Sequence, residues 1–271
     1  MDMKHVADKG LVLLGCGKMG SAMLKGWLAD GLPASSVWVQ DPFPNDWVTT
    51  TGVHINQPLP TNPAIVLVAV KPQMMTEALP VLQAMGNGTT LFLSIAAGID
   101  IPHYESVLGA QTPIIRAMPN TPAAIGKGIT AIIGNARADA AMMTLADNLL
   151  GAVGQVVRLD EESQMDAVTG VSGSGPAYVF HMIECLAAAA QAQGLSPDLS
   201  MALAKATVAG AGALAETADE TPAQLRVNVT SPNGTTHAGL NVLMDTTTGL
   251  PPLISQTVAA ATNRSRELAN G

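Results

Sequence analysis

The spacing of hydrophobic residues along the chain changes near residue 160. Before that point, short apolar runs of strand length alternate with longer stretches whose apolar residues recur at helical spacing. The run 64–70 is apolar at nearly every position, as expected of a central parallel strand that is covered on both faces. This alternation predicts an α/β fold with an N-terminal Rossmann-like, doubly wound and mostly parallel sheet. The predicted strands are 11–14, 37–39, 64–70, 90–95, 113–118, 129–134 and 155–159, with helices over 21–30, 73–85 and 139–150.

After residue 160 the strand pattern gives way to alanine-rich helical sequence. Helices are predicted over 161–171, 177–193, 197–217, 235–245 and 251–270. Several of them carry small residues on every side, and a helical half of this size has too little interior to cover them. We therefore predict a dinucleotide-binding domain over 1–159 and an all-α dimerisation and substrate domain over 160–271. The predicted assembly is an obligate homodimer, and a higher oligomer of such dimers is left open.

The charge and apolar content of the chain exclude some partners. A net charge of −8 argues against nucleic-acid binding, so an anionic ligand must be held by local dipoles rather than by the overall field. The apolar runs fall short of the ~20 residues that a membrane span requires, and the polar N-terminus lacks the apolar core of a signal peptide. Cys16 and Cys185 are far apart in sequence, which predicts two small buried thiols and neither a disulfide nor a metal site. We expect a cytoplasmic protein.

A glycine-rich segment follows the first predicted strand. Gly15, Gly17 and Gly20 form the pattern G-x-G-x-x-G, with Lys18 and Met19 inside it. The pattern alone is a weak signal, but a strand before it and an apolar-faced helix after it are the context of a dinucleotide-binding loop. Such a loop turns tightly at its first glycine and presents the helix N-terminus to the pyrophosphate, which predicts a nicotinamide dinucleotide cofactor.

Asp41 stands at the end of the second predicted strand, 21 residues after Gly20. A carboxylate roughly 20 residues beyond the motif typically binds an adenine-ribose hydroxyl and repels a 2′-phosphate. No arginine follows in the sequence DPFPND, so the segment favours NADH over NADPH. Asp41 is also explained as the start of a turn with Pro42, and the sequence leaves both interpretations open.

Six motifs extend over nearly the whole chain. They are GCGKMGSAM from Gly15, AVKPQ from Ala69, SIAAGI from Ser94, RAMPNTPA from Arg116, VSGSGPAYVF from Val171 and VTSPNGTTHAGL from Val229. In this order they closely resemble the pyrroline-5-carboxylate reductase family. The resemblance implies an oxidoreductase that uses NADPH or NADH to reduce the cyclic imine L-1-pyrroline-5-carboxylate to L-proline, the last step of proline biosynthesis.

The resemblance also implies which residues contact the cofactor. Beyond the glycine loop and Asp41, these are Asn56, Ala69, Val70, Lys71, Pro72, Ala96, Ala97, Gly98 and Asn228. The family places 96–98 beside the nicotinamide and 118–121 on the same side. Segments 69–72 and 96–98 also lie at the carboxyl ends of predicted parallel strands, where open α/β sheets bind ligands. The alternative for Lys71 is a solvated lysine at a strand end, and we do not expect Lys71 to be catalytic.

The segment 230–236, TSPNGTT, has no ionisable side chain and precedes a predicted helix. Ser231 or Thr235 would cap that helix, and the backbone N–H groups at its start would suit the substrate carboxylate. The resemblance assigns substrate binding to Ser231, Asn233, Gly234, Thr235 and Thr236. It also makes Thr236 the catalytic residue, with its hydroxyl directed at the imine nitrogen. Taken alone, the same string is also explained as an N-capping linker.

Some positions depart from the family pattern. Asn233 replaces a common glycine, although asparagine tolerates positive φ, and Asp41 with Pro42 replaces a basic pair found in many NADPH-preferring members. A β-hydroxyacid-dehydrogenase-like enzyme is an alternative, but Val179 and Ile183 stand where that group has a lysine and an asparagine. A reductase of a different cyclic imine carboxylate and a catalytically silent dinucleotide sensor are further alternatives.

Overall fold

The computed structural model describes residues 3–269. Its contacts divide the chain into two compact units, which are a sheet unit (residues up to Gly173 together with those from Ala261 onward) and a helical unit (Ser174–Ala260). The segment just after residue 160 packs with the sheet unit. The predicted boundary between residues 159 and 160 separates a dinucleotide-binding domain from a dimerisation and substrate domain, so it is a division by function as well as by packing. It stays a prediction.

Among the described residues, eight strands form one sheet, which lies in the sheet unit. They are β1 (Leu11–Leu14), β2 (Val37–Gln40), β3 (His54–Ile55), β4 (Ile65–Val68), β5 (Leu91–Ser94), β6 (Ile114–Met118), β7 (Gly128–Gly134) and β8 (Gly154–Arg158). Their spatial order is β3-β2-β1-β4-β5-β6-β7-β8. All pairs from β3 to β6 are parallel, β7 runs antiparallel to β6, and β8 is parallel to β7. The predicted α/β class with a doubly wound, mostly parallel sheet is confirmed.

The side chains of β1 show why its sequence is apolar throughout. Leu11 and Leu13 belong to the hydrophobic cluster on one face of the sheet, and Val12 and Leu14 belong to the cluster on the other face. Because both faces are covered by helices, no polar alternation is required. Trp27 fills the first cluster and donates its indole N–H to the Leu149 carbonyl oxygen at 2.7 Å.

Helices cover both faces of the sheet. They are α1 (Met3–Lys9), α2 (Lys18–Ala29), α3 (Asp46–Thr49), α4 (Met75–Ala78), α5 (Ile101–Leu108), α6 (Ala140–Gly151) and α7 (Met165–Val168). The single helix predicted over 73–85 is instead α4 between two 3₁₀ turns, Pro72–Met74 and Leu79–Met85. Pro80 lacks a backbone N–H, which ends the α-helical pattern there. The helix predicted over 161–171 is similarly divided, with a π-turn at Thr169–Gly173.

The helical unit contains α8 (Gly175–Ala192), α9 (Pro197–Thr217), α10 (Pro222–Asn228), α11 (Thr235–Leu243) and the start of α12 (Leu250–Ala269). Residues 174–260 are all described, and only Ala187, Ser200 and Ala204 among them are buried. Phe180 and Val242 are 60% and 75% exposed. The unit therefore lacks a core of its own, as its small-residue sequence predicts. Within residues 3–269, no helix is both long enough and apolar enough to cross a membrane.

Candidate active site

The glycine-rich loop joins the end of β1 to the start of α2. Gly15 has φ +85°, and a Cβ there would lie 3.0 Å from both the Ala69 carbonyl oxygen and the Val70 nitrogen. Gly17 is the N-cap of α2 and makes no side-chain capping bond, and a Cβ added to it would meet no atom within 4 Å. The space beside Gly17 at the start of α2 is therefore open, which fits a pyrophosphate at this helix N-terminus. Lys18 and Met19 begin the helix, and Gly20 allows the close approach to Gly15.

The Asp41 carboxylate forms hydrogen bonds with both the glycine loop and the segment after β2. Its Oδ2 accepts the Cys16 N–H at 2.7 Å and its Oδ1 accepts the Phe43 N–H at 2.8 Å. The second bond, between residues i and i+2, makes Asp41 the first residue of a turn, so that interpretation holds. A role toward the adenine ribose stays a prediction. Burial raises the pKa of the Cys16 thiol, and the hydrogen bond with Ser21 opposes this rise.

Asn56 follows β3 and lies beside Asp41. Its Oδ1 accepts the Asp41 N–H at 3.0 Å, and its Nδ2 donates to the Asp41 carbonyl oxygen at 2.9 Å. Asn56 has φ +50°, a conformation that asparagine tolerates. Two residues predicted to contact the cofactor are thus brought together at the carboxyl edge of the sheet.

A cleft of about 490 Å³ opens beside the glycine loop. Lys18 and Lys25 of α2 line it together with Asn45, Phe43 and Trp47. The Lys25 ammonium lies 4.8 Å from the centroid of the Trp47 ring. Lys18 was among the residues assigned to the cofactor from the sequence, whereas Lys25 was missed because basic residues were sought only after β2 and not further along the helix that follows the glycine motif.

The loops after β4 and β5 lie at the same edge of the sheet, and the loop after β4 is next to the glycine loop. Segment 69–71 is joined to β1 through the Ala69 N–H, which donates to the Leu14 carbonyl oxygen at 2.8 Å, and Pro72 then starts a 3₁₀ turn. Ala96 is buried, and Gly98 has φ +74°. Lys71 is exposed, as a solvated lysine would be. The fold thus gathers 69–72 and 96–98 where open parallel sheets bind ligands.

A buried polar network lies beneath the loop after β5. Ser94 Oγ is 2.5 Å from Tyr104 Oη and accepts the Ala96 N–H at 3.2 Å. Arg116 Nη1 pairs with Glu162 Oε1 at 2.9 Å. Burial raises the pKa of Tyr104 to about 12, while the Ser94 hydrogen bond and the Arg116 charge oppose the rise. No sequence signal indicated this network, since its members come from four separate elements.

Asn120 holds the connection from β6 to β7. Its side-chain oxygen accepts the Ile129 N–H at 2.9 Å, and a 3₁₀ turn, Thr121–Ile125, lies between them. The segment 118–121 therefore has the geometry of a rigid connection. Its place on the nicotinamide side stays a prediction.

The segment 231–234 forms the turn before α11. The Gly234 N–H donates to the Ser231 carbonyl oxygen at 3.0 Å, and Asn233 has φ +58°, which asparagine accommodates. The expectation that Ser231 or Thr235 caps the helix is wrong, because Gly234 is the N-cap and makes no side-chain capping bond. The first N–H groups of α11 thus have no capping side chain, and Thr235 and Thr236 are exposed beside them.

Two other residues singled out in the sequence make no hydrogen bond to this turn. The side-chain oxygen of Asn228 accepts the Gln224 Nε2–H at 2.8 Å, so a bond within α10 engages it. Cys185 is exposed in the protomer, which corrects the expectation of two buried thiols, whereas Cys16 is buried. Within residues 3–269, no group of three His, Cys, Asp or Glu side chains is arranged to hold a metal ion.

Two family profiles match the sequence. The profile described as "Pyrroline-5-carboxylate reductase dimerisation" covers residues 162–268. The profile "NADP oxidoreductase coenzyme F420-dependent" covers residues 10–98. A pyrroline-5-carboxylate reductase from Pseudomonas aeruginosa is 37% identical over 265 residues, which is 96% of each chain.

Solved structures with the same fold agree with these matches. A pyrroline-5-carboxylate reductase from Coxiella burnetii has a TM-score of 0.90 and 32% identity, and the match covers 96% of this chain and 98% of that one. A pyrroline carboxylate reductase from Plasmodium falciparum with NADP bound has a TM-score of 0.84 and 27% identity, covering 97% and 98%.

Proposed function

The chain belongs to the pyrroline-5-carboxylate reductase family, and we propose that it reduces L-1-pyrroline-5-carboxylate to L-proline with NADH or NADPH, the last step of proline biosynthesis. The observation that carries this proposal is the turn 231–234. It ends at an uncapped helix start, in a chain that matches a reductase of this family over 96% of its length. A site of this kind binds a small carboxylate without a basic side chain.

The sheet unit carries the cofactor side of the proposal. When bound, NADH or NADPH supplies the hydride that reduces the C=N bond. Gly15, Gly17, Lys18, Met19 and Gly20 hold the pyrophosphate at the open start of α2. The other contacts assigned to the cofactor are those of Asp41, Asn56, Ala69, Val70, Lys71, Pro72, Ala96, Ala97, Gly98 and Asn228. The open space beside Gly17 and the gathered loops support this assignment.

The helical unit carries the substrate side. The uncapped N–H groups at the start of α11 bind the substrate carboxylate, helped by the Ser231 hydroxyl and by the positive end of the helix dipole. Asn233 and Gly234 shape the turn. Thr236 is the catalytic residue, since its hydroxyl hydrogen-bonds the ring nitrogen and keeps its proton in place while the imine carbon receives hydride. A protonated imine needs no separate general acid, which agrees with the absence of ionisable side chains from 230–236.

Cofactor preference follows from charges of opposite sign, a carboxylate at the end of β2 and two lysines of α2. Asp41 is held by the Cys16 and Phe43 N–H groups, which fixes its negative charge at the end of β2, close to where a 2′-phosphate would lie. Each carboxylate oxygen keeps a lone pair for a ribose hydroxyl. Lys18 and Lys25 moderate the repulsion. We infer that NADH serves at least as well as NADPH and that both are accepted.

Self-association is supported by the dimerisation profile and by the coreless helical unit. We infer an obligate homodimer, in which dimerisation and substrate binding belong to 160–271 and dinucleotide binding to 1–159. A reducing cytoplasmic location suits the free thiols of Cys16 and Cys185.

The test is an absorbance assay of reduced nicotinamide with pyrroline-5-carboxylate, with NADH and NADPH in parallel. We expect turnover with both cofactors. A six-membered cyclic imine carboxylate and a β-hydroxy acid serve as rival substrates. Faster turnover with either rival, or cofactor binding without turnover of any of them, would replace the proposal by one of the alternatives.

A further inference from the structure

The loop 95–100, which connects β5 to α5, is held at both ends by hydrogen bonds. At its start, Ser94 Oγ accepts the Ala96 N–H at 3.2 Å and lies 2.5 Å from the hydroxyl of Tyr104, a residue of α5. At its end, the Asp100 side chain accepts the His103 N–H at 3.0 Å and caps the same helix. The helix that follows the loop therefore fixes both of its ends.

The Tyr104 hydroxyl has a specific effect on Ser94. Tyr104 is fully buried in the apolar cluster on its side of the sheet, where an unpartnered hydroxyl would be costly. A phenylalanine would fill nearly the same volume without that requirement. Whichever of the two oxygens donates, the bond holds the Ser94 side chain in the rotamer that accepts the Ala96 N–H. The raised pKa keeps the phenol protonated at any ordinary assay pH.

The position of Tyr104 is itself fixed by a second set of bonds. Glu162 Oε1 accepts both the Ile101 N–H at 2.9 Å and the Arg116 Nη1–H at 2.9 Å. Arg116 is 4% exposed and lies opposite Ser94 in the β5–β6 pairing. Movement of α5 would break the Ile101 bond to Glu162, a carboxylate that the buried Arg116 holds in place. The start of α5 is thus anchored to β6.

We propose that Tyr104 is a positioning residue for hydride transfer, which acts through Ser94 to hold the Ala96 N–H and the segment 96–98. The inference rests on the proposed function, which assigns 96–98 to the cofactor, and on the family resemblance, which implies that they lie beside the nicotinamide. Gly98 gives the segment its left-handed turn, so its path depends on where Ala96 is held. Small displacements of a reacting ring reduce rates strongly, whereas they change ground-state affinity little.

The chain offers a matched pair of variants at the two ends of one strand. Tyr104→Phe removes one buried hydroxyl bond at the carboxyl end of β5. Thr90→Val removes another at the opposite end, where the Thr90 hydroxyl donates to the Pro63 carbonyl oxygen at 2.9 Å. Both Tyr104 and Thr90 are buried, so both variants should lower Tm by similar amounts. Only the first should affect catalysis.

The primary measurement is steady-state kinetics with NADH carrying deuterium at the transferred position. For Tyr104→Phe we expect kcat to fall about 3- to 10-fold and KM for both substrates to change less than about two-fold. The deuterium isotope effect on kcat should rise, because hydride transfer becomes slower than the other steps. Thr90→Val should keep kcat and the isotope effect of the unmodified protein.

A second variant tests the route through Ser94. Ser94→Ala should reduce kcat to the same extent, and Tyr104→Phe in that background should cause no further loss. If the kcat losses of the two single variants multiply in the double variant, Tyr104 does not act through Ser94. That result would overturn the proposal. It is equally overturned if Tyr104→Phe behaves as Thr90→Val does, or if its whole effect lies in KM.

A substrate-free measurement separates this inference from the proposed function. The fluorescence of bound NADH reports the surroundings of its nicotinamide ring, and we expect it to change in Tyr104→Phe while the Kd for ADP-ribose stays the same. If the unmodified protein binds NADH but reduces no cyclic imine, the proposed function fails, and the fluorescence of the variant still decides the role of Tyr104. Unchanged fluorescence would count against that role.

Discussion

The side chain of Asn56 forms two hydrogen bonds with the backbone of Asp41. One end of its amide accepts the Asp41 N–H at 3.0 Å, and the other donates to the Asp41 carbonyl oxygen at 2.9 Å. Since the Asp41 carboxylate in turn holds the glycine loop through Cys16, the ends of β1, β2 and β3 form one bonded unit. A carboxylate held in this way cannot swing away from a ligand that carries an additional phosphate.

Replacement of Asp41 should therefore change cofactor choice. For Asp41→Ser we expect the ratio of kcat/KM for NADPH to that for NADH to rise about ten-fold, because a fixed negative charge near the 2′-phosphate is removed. Asp30→Asn at the far end of α2 removes the same charge from an exposed site and should leave the ratio unchanged. A clear NADPH preference that Asp41→Ser does not alter would show that Asp41 only shapes the turn.

Thr236→Val tests the catalytic hydroxyl. A lost hydrogen bond to a charged ring nitrogen is worth about 1.5–3 kcal/mol, so kcat should fall roughly ten- to a hundred-fold while dinucleotide Kd changes little. Valine keeps the shape of threonine, and Gly234 remains the N-cap of α11. Thr217→Val, which removes a hydroxyl bonded to the Ala213 carbonyl oxygen at 3.0 Å, is the control and should keep full activity. If Thr236→Val keeps wild-type kcat and kcat/KM, the threonine only lines the site and its hydroxyl has no catalytic role.

Ser231→Ala should affect substrate binding rather than turnover. The Ser231 backbone oxygen accepts the Gly234 N–H, and alanine retains that bond, so the turn should survive. If the hydroxyl holds the carboxylate in ground and transition states alike, KM for the imine rises about five- to ten-fold with kcat unchanged. A lower kcat at constant KM would instead give Ser231 a role in the transition state.

A charge placed on the helical unit should disrupt self-association. Leu214 of α9 is 53% exposed in the protomer, and Leu214→Glu should shift the protein toward monomer at micromolar concentration and reduce its activity. Val81, 61% exposed in the sheet unit, supplies the control Val81→Glu, which should keep the mass of the unmodified protein. Light scattering measures both. A stable and active monomer of the unmodified chain would contradict the obligate dimer.

Burial of Tyr104 makes stability depend on alkaline pH. Its pKa is raised from 10.0 to about 12, so the unfolded chain loses the phenolic proton at a lower pH than the folded chain does. The contribution is complete below pH ~10, declines as pH rises and is lost above ~12, and it amounts to about 3 kcal/mol. Urea unfolding at pH 9 and pH 11 should therefore show a larger loss for the unmodified protein than for Tyr104→Phe. Equal losses would mean that the phenol is not protected by folding.

The sequence predicted elements with a strong period and failed where a single residue interrupts one. Helix α9 begins and ends where predicted, because Ser196 caps it by accepting the Leu199 N–H and its small residues continue without a break. The stretch 73–85 has similar apolar spacing, yet Pro80 divides it. Helix α5 was not predicted, although Asp100 and Pro102 are a start signal. The two-residue strand β3 is too short to show any period.

The candidate site was predictable where a local backbone rule applies. The glycine loop and the left-handed Asn233 both follow from allowed φ values. The N-cap of α11 was not predictable, because the choice between Ser231, Gly234 and Thr235 depends on how the turn closes. The bond between Ser94 and Tyr104 depends on how a helix lies against a strand, which side-chain identities alone do not determine.

If the chain is the obligate homodimer proposed above, the near absence of buried residues from the helical unit makes the final stage of folding a second-order process. With only Ala187, Ser200 and Ala204 buried among residues 174–260, a lone chain gains little by arranging these helices until it meets another copy. Refolding should then become faster at higher protein concentration, and Tm should rise with it. In a cell, the local concentration of newly synthesised chains would limit the rate at which each chain finishes folding.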